Sequence, residues 1–261
     1  MKSMFWWLMK YVVLGPLLRI MYRPKVKGLE NVPLDGPAIL APNHQSFVDD
    51  FILPLVIRKR KVRMLAKADY FDKWYSAWFF KAAACIPVRR QGGSASAAAL
   101  QAGIDALKRG ELVGIFPEGT RSPDRRLYRG KTGVARMALE ARVPVIPVAL
   151  VGTFEAWPYD HTMPRAGKVE IRFGKPLHFD RHFDTPADRF VLRSITDEIM
   201  YEIMLLSGQE YSDDYGSRVK AQIERGANKP AVSMGEGDAK VLAPGQPRVQ
   251  PSVPTGRATS P

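Results

Sequence analysis

The chain has 261 residues, 46% of them hydrophobic and 25% charged, an ordinary globular balance with apolar material for one large domain or two small ones. A net charge of +13 favours an anionic partner, either nucleic acid or an anionic bilayer surface. The single cysteine, Cys85, excludes an internal disulfide, and no Cys/His zinc spacing is present.

The first apolar run, Phe5 to Leu18, reads FWWLMKYVVLGPLL. It is shorter than the roughly 20 apolar residues of a membrane span, and Gly15-Pro16 breaks or kinks a helix there. Basic Arg19, Arg23, Lys25 and Lys27 follow it, where a signal peptide would carry a small-residue cleavage site. An interfacial helix is the better expectation, with Trp6, Trp7 and Tyr11 at the headgroup boundary and the bases on anionic lipid. Residues 1–24 are therefore expected to be a membrane-associated helical segment; a helix buried on its own domain is the alternative.

Strands and helices then alternate. Ala38–Ala41 is a short apolar run ended by Pro42-Asn43, and Val62–Ala66 and Ala84–Val88 are further candidate strands. Leu100, Ile104 and Leu107 form a helical stripe that predicts a helix over Ser96–Arg109, with Gly110 at its C-terminal stop. Leu112–Phe116 suits a buried strand, and Val134, Met137, Ala138 and Ala141 a helix. Val145–Val151 (VIPVALV) is a central strand in which Pro147 needs an edge or irregular position. Val169, Ile171 and Phe173 alternate with polar residues, a half-exposed strand, and Leu192, Ile195, Ile199, Ile203 and Leu206 mark one long amphipathic helix. The pattern predicts an α/β domain over 25–226 with a largely parallel sheet flanked by helices. From residue 227 onward prolines fall among Gly, Ser, Ala and Gln, and a disordered tail is expected.

Two segments could carry chemistry. Asn43-His44-Gln45-Ser46-Phe47-Val48-Asp49-Asp50 follows a strand end, where α/β proteins place their sites. If the chain turns into a helix there, Asp49 accepts from one ring nitrogen of His44 and the other faces a substrate hydroxyl. That is the base–orienter half of a catalytic triad. The same spacing makes a helix capping box, with Ser46 as N-cap and Asp49 in place of the usual Glu. The two readings are compatible, since a cap would hold Asp49 in place. Phe116-Pro117-Glu118-Gly119-Thr120-Arg121-Ser122 follows the Leu112–Phe116 run. Pro117 and Gly119 shape a tight loop, and Arg121 offers a planar fork to a phosphate, with the hydroxyls of Thr120 and Ser122 as further donors. An ordinary turn with a surface arginine is the alternative.

Basic runs at Arg58–Arg63, Arg89-Arg90 and Arg125–Lys131 stand near strand ends and point to phosphate or anionic lipid. No RNP, helix-turn-helix or zinc-finger pattern supports nucleic acid. A GxSxG elbow, a GxxxxGK[ST] loop and an HExxH helix are also absent from the sequence. Cys85 lies in an apolar run and is expected to be a buried, inert thiol.

Together the two segments resemble the glycerolipid acyltransferase family whose bacterial members acylate lysophosphatidic acid. That family carries His-x-x-x-x-Asp and, downstream, a Phe-Pro-Glu-Gly-Thr-Arg-Ser block; here they stand as His44 to Asp49 and Phe116 to Ser122. The resemblance runs roughly from Val26 to Pro176 and takes in Lys67, Ile86-Pro87-Val88-Arg89 and Val145-Ile146-Pro147-Val148. Many members have Phe-Ile-Asp-Arg where this chain has Ile86-Pro87-Val88-Arg89, so the Asp is missing and Arg89 alone matches the phosphate-contacting arginine. The resemblance implies an α/β domain beside membrane helices, with His44 and Asp49 catalytic. Glu118, Gly119, Thr120 and Arg121, with Arg89 and Lys67, would form the acceptor site, Glu118 by positioning the arginine and its loop. The donor would be acyl-coenzyme A or acyl carrier protein and the acceptor a lysophospholipid. No metal or bound cofactor is required. Glycerol-3-phosphate is the alternative acceptor, and a non-catalytic basic membrane protein or a hydrolase the alternative class. The expected location is the cytoplasmic side of the plasma membrane, peripheral or monotopic.

Overall fold

A computed structural model describes residues 12, 14–73, 77, 80, 81, 83, 85–88, 93–158, 161, 163–184 and 188–226. Trp6, Trp7, Tyr11, Arg89 and the tail from residue 227 lie outside the described residues.

In chain order the elements are α1 (Leu14–Tyr22), β1 (Lys25–Lys27), β2 (Ala38–Pro42), α2 (Asp49–Val56), β3 (Val62–Lys67), α3 (Asp69–Asp72), β4 (Ile86–Val88) and α4 (Gly93–Lys108). There follow β5 (Leu112–Gly114), β6 (Leu127–Tyr128), α5 (Gly133–Ala141), β7 (Val145–Val151), α6 (Thr153–Ala156), β8 (Glu170–Phe173), α7 (Arg189–Ser207), β9 (Tyr211–Ser212) and α8 (Gly216–Glu224). Seven strands form one sheet in the order β1-β8-β7-β2-β5-β3-β4. The β7–β8 pair is antiparallel, and every other pair in the sheet is parallel. The predicted, largely parallel α/β sheet is therefore what forms.

Strand geometry divides the core in two. Ile39 and Ala41 point to one face with Val113 and Val145, where they meet residues of α4, α5 and α7. Ala38 and Leu40 point to the other with Leu112, Ile146 and Val148, against Tyr22 of α1 and Ile52 and Leu53 of α2. A strand buried on both faces has no polar side, which is why β2 and β7 read as continuous apolar runs. Helix α7 starts on Asp188, whose carboxylate accepts the N–H groups of Phe190 and Val191 at 2.8 Å each, and stops at Gly208, left-handed at φ 72°.

Pro147 sits in the irregular position its chemistry requires. Its carbonyl accepts from Gly174 N at 2.8 Å, just before the β7–β8 ladder opens at Val148 and Phe173. Pro147 thus sits at the end of the β7–β8 ladder, where only its carbonyl is called on.

The topology fixes what the site is made of. Strands β2 and β5 are neighbours and parallel, so the loops leaving them emerge side by side although their sequences are far apart. The first basic run is at the opposite end. Arg58 to Lys61 precede β3, and Arg60 is spent on structure, donating to the carbonyls of Pro33 (3.1 Å), Gly36 (2.6 Å) and Gly110 (2.6 Å). Arg63 pairs with Glu111. This run corrects the expectation that all three basic clusters serve an anionic ligand. Arg60→Ala is expected to lower the unfolding free energy by about 2 kcal/mol, read from urea melts. An unchanged melt would show that the three carbonyls are as well satisfied by water.

Candidate active site

Three side chains shape the turn between β2 and α2. Asn43 closes β2 by acting as one more strand residue: its Oδ1 accepts from Leu150 N at 2.7 Å and its Nδ2 donates to Leu150 O at 3.1 Å. The chain then leaves the sheet at His44. Asp49, in the first turn of α2 and fully buried, turns its carboxylate back into this loop. Its Oδ2 accepts from Gln45 N and Ser46 N, both at 2.7 Å, and lies 3.0 Å from His44 Nδ1. Ser46 Oγ accepts from Val48 N at 3.2 Å. Only the Asp49 half of the expected box forms: Ser46 Oγ accepts from Val48 N rather than Asp49 N, the helix starts at Asp49 behind Val48, and the Asp49 carboxylate sits against the histidine ring. That ring is 3.8 Å from the ring of Phe116 and nearly parallel to it, so its plane is set by stacking as well as by the ion pair.

The loop after β5 grips His44 by its backbone. Glu118 Oε1 accepts from His44 N at 2.8 Å, and Ser122 N donates to His44 O at 2.7 Å. Glu118 Oε2 accepts from Tyr128 N at 2.9 Å. Glu118 is only 1% exposed with both oxygens bonded to main-chain donors, so it cannot touch a ligand; its expected place in the acceptor site is corrected to that of a strut. Ser122 is likewise buried, and its hydroxyl lies against Asp124 rather than facing a phosphate. Burial pushes the Glu118 carboxyl up to about 8, against the pull of the N–H groups of Tyr128 and His44, and the neighbouring carboxylates of Asp49 and Asp124 raise it further.

Of the remaining expected residues, Lys67 and Gly119 line one cavity. Gly119, left-handed at φ 69°, lets the loop turn under the side chain of Lys131, and Thr120 is 7% exposed. Arg121 places its guanidinium 6.0 Å from the Phe47 ring. Lys67 forms an ion pair with Asp69 and shares with Leu65, Ile104, Phe116, Gly119 and Lys131 the wall of a cavity of about 540 Å³. Arg89 lies outside the described residues. In the third basic run, Arg125, Arg126 and Arg129 pair with Glu155, Asp124 and Asp213, so these charges hold loops together. The Cys85 thiol, pushed up to about 12 by burial, stays protonated.

Sequence reading missed two residues. Asn43 was expected to be an ordinary loop residue. Gln209, just past α7, accepts from Asn43 Nδ2 at 2.6 Å and donates to the carbonyl of Arg125, a residue held left-handed at φ 73°. Gln45 donates to the same carbonyl at 3.2 Å. Neither role has a spacing signature.

Glu118→Gln should separate strut from ligand contact. An amide offers one acceptor and turns an N–H₂ toward a main-chain N–H, so about 1–3 kcal/mol of stability should be lost. The pH dependence has a defined sign. A carboxyl raised in the folded state stabilises most below its unfolded value near 4.3 and loses that contribution as pH rises through about 8. The stability gap between parent and variant should therefore narrow from pH 5 to pH 9 in thermal melts. A gap independent of pH would overturn the assignment.

Comparison with known proteins bears on this constellation. The family model described as Acyltransferase matches residues 23–151. A 1-acyl-sn-glycerol-3-phosphate acyltransferase of Bacillus subtilis is 33% identical over 155 residues, covering 59% of this chain and 73% of that protein. A chloroplastic enzyme of the same name from Arabidopsis thaliana is 33% identical over 159 residues, covering 60% of this chain and 44% of its own length. The chain thus spans under half the length of the chloroplast relative. The crystal structure of the 1-acyl-sn-glycerophosphate acyltransferase PlsC of Thermotoga maritima shares the fold, with a TM-score of 0.59 at 23% identity over 77% of this chain and 87% of that one.

Proposed function

The chain belongs to the acyltransferase family, and on that premise we propose that it transfers an acyl chain from a thioester to the free hydroxyl of 1-acylglycerol-3-phosphate, forming phosphatidic acid. The observation that carries this reading is the buried His44–Asp49 pair, 3.0 Å apart and held beside an open, cation-lined cavity.

The chemistry follows from the hydrogen bonds. Asp49 keeps the ring proton on Nδ1, so Nε2 carries the lone pair that takes the hydroxyl proton. The acceptor oxygen attacks the thioester carbonyl carbon, and the tetrahedral intermediate collapses with loss of the thiolate, which recovers the proton from the imidazolium. Asp49 steadies that cation while it exists. Arg121 holds the acceptor phosphate, with Lys67 and Arg89 as further cations, and Glu118 keeps His44 in reach through its backbone. The donor is a thioester of coenzyme A or acyl carrier protein.

A lysophospholipid resides in a bilayer, so the protein is read as peripheral or monotopic on the cytoplasmic side of the plasma membrane. In support, α1 leaves Leu17 50% and Ile20 75% exposed, next to Arg19, Arg23, Lys25 and Lys27. Among the described residues no helix is long and apolar enough to cross a membrane.

The direct test is thioester consumption by purified protein against a panel of lysophosphatidic acid, glycerol-3-phosphate and other lysophospholipids, with each donor in turn. Preference for lysophosphatidic acid is expected; free fatty acid without lipid product would identify a hydrolase instead. His44→Ala should reduce turnover by about 10²–10⁴-fold. Asp49→Asn discriminates more finely. The amide oxygen can still accept from Gln45 and Ser46, so the melting temperature should stay within a few degrees while turnover drops by about 10⁴-fold. Near-normal turnover in that variant would leave Asp49 as a cap alone.

A further inference from the structure

The elements past Ser207 lie beyond residues 23–151, the part of the chain that the family model matches, yet they fold onto the segment between β5 and α5. Leu127 N donates to Glu210 O at 2.9 Å and Arg129 N to Asp214 O at 3.0 Å, with β6 and β9 paired between them. Gln209 stands at the head of this contact. Gly208 ends α7 in the left-handed region, Gln209 N donates to Ser207 Oγ at 3.2 Å, and the next residue, Glu210, is already held by Leu127. The main chain of Gln209 is thus fixed on both sides, and its half-buried side chain reaches Asn43.

We propose that Gln209 is a positioning residue for the catalytic base, acting on His44 through Asn43. This rests on the reading of His44 as the base given above. Asn43 is fully buried, and its amide carries two N–H groups. One goes to Leu150 O at 3.1 Å and the other to Gln209 Oε1 at 2.6 Å. With its oxygen turned to Asn43, Gln209 points its own N–H₂ the other way, where it donates to Arg125 O at 2.5 Å. An amide meets both needs at once; a carboxylate has no donor, and an apolar side chain has neither group. Gln45 Nε2 donates to the same carbonyl at 3.2 Å. The residues immediately before and after His44 are therefore tied to one point, Gln45 directly and Asn43 through Gln209. Without Gln209 the second N–H of Asn43 must find another acceptor inside a buried turn, and the amide that ends β2 shifts to do so. A small displacement of the base costs rate rather than affinity, because it changes the distance from Nε2 to the substrate hydroxyl. Neither Gln209 nor Asn43 lines the cavity beside Phe116, so neither is placed to bind substrate there.

The test uses the full chain, with rates read well below each variant's melting temperature. Gln209→Met keeps the bulk of the side chain and removes both bonds. It should lower kcat about tenfold, with both Michaelis constants close to the parent's. A second readout needs no turnover. In protein carrying isotope-labelled histidine, the Nδ1–H of His44 is followed by NMR, its signal identified by its loss in His44→Ala. That proton should exchange with water faster in Gln209→Met than in the parent. A kcat equal to the parent's overturns the inference. So does a rise in either Michaelis constant at unchanged kcat, which would make Gln209 a binding residue. A fall in kcat with the His44 signal unchanged is equally fatal, since the loss would then not pass through the base. Should Gln209→Met melt early, Gln209→Ala removes the amide without setting an apolar group in its place, and the same outcomes decide. A parent protein that consumes no thioester with any lysophospholipid removes the activity reading itself, while the exchange of the His44 proton still decides whether Gln209 holds the ring.

Discussion

Everything at this site depends on the two main-chain bonds that hold His44. Its N–H is given to Glu118 and its carbonyl receives the N–H of Ser122. A histidine on a free loop would sample many ring positions, and each would have to be given up before a proton could move. Here the backbone is fixed by the neighbouring strand's loop, the ring plane by Phe116 and the ring proton by Asp49. The polar residues of the Phe116–Ser122 block therefore divide their labour. Glu118 and Ser122 face inward and hold His44, while Gly119 lines the cavity. The adjacency of β2 and β5 in the sheet is what makes this division reachable for one short loop.

Much of this was legible before any coordinates. Runs apolar at every position announced buried strands in β2, β5 and β7, and the spacing of Leu192, Ile195, Ile199 and Ile203 announced α7. The His44–Asp49 pairing was readable because a loop that turns into a helix at Asp49 can bring the carboxylate back onto the histidine. Boundaries were less so: the Leu112–Phe116 run stops being a strand at Gly114, because Phe116 leaves the ladder to stack on His44. Glu118 was expected to position Arg121 and its loop; that it does so through main-chain donors at His44 and Tyr128 leaves no trace in its own neighbourhood. Asn43 and Gln209 were invisible because a side-chain amide can imitate backbone at any point where a strand runs out. The strand β9 is two residues long, too short for periodicity to register.

Charge density was the least reliable guide. The sequence is strongly basic, but the described arginines of its first and third runs serve structure. Arg60 fastens three carbonyls at the far edge of the sheet, and Arg125, Arg126 and Arg129 each meet an acid. Guanidinium groups suit such structural work because their planar donors bond several acceptors at once. Two lysines do reach the Phe116–Ser122 loop, Lys131 over Gly119 and Lys220 at Thr120. A net charge of +13 thus describes solubility and attraction to anionic surfaces better than it locates a ligand.

The pairing of β6 with β9 has a consequence for the order in which the molecule is assembled. Leu127 and Arg129 find their main-chain acceptors at Glu210 and Asp214, nearly a third of the chain later. During synthesis at about 5–20 residues per second, the histidine loop and its strut leave the ribosome well before these partners exist. The nascent chain therefore carries the base and the acid in sequence but not the finished loop that steadies them. The loop around His44 is completed only when α7 and the strand beyond it have docked.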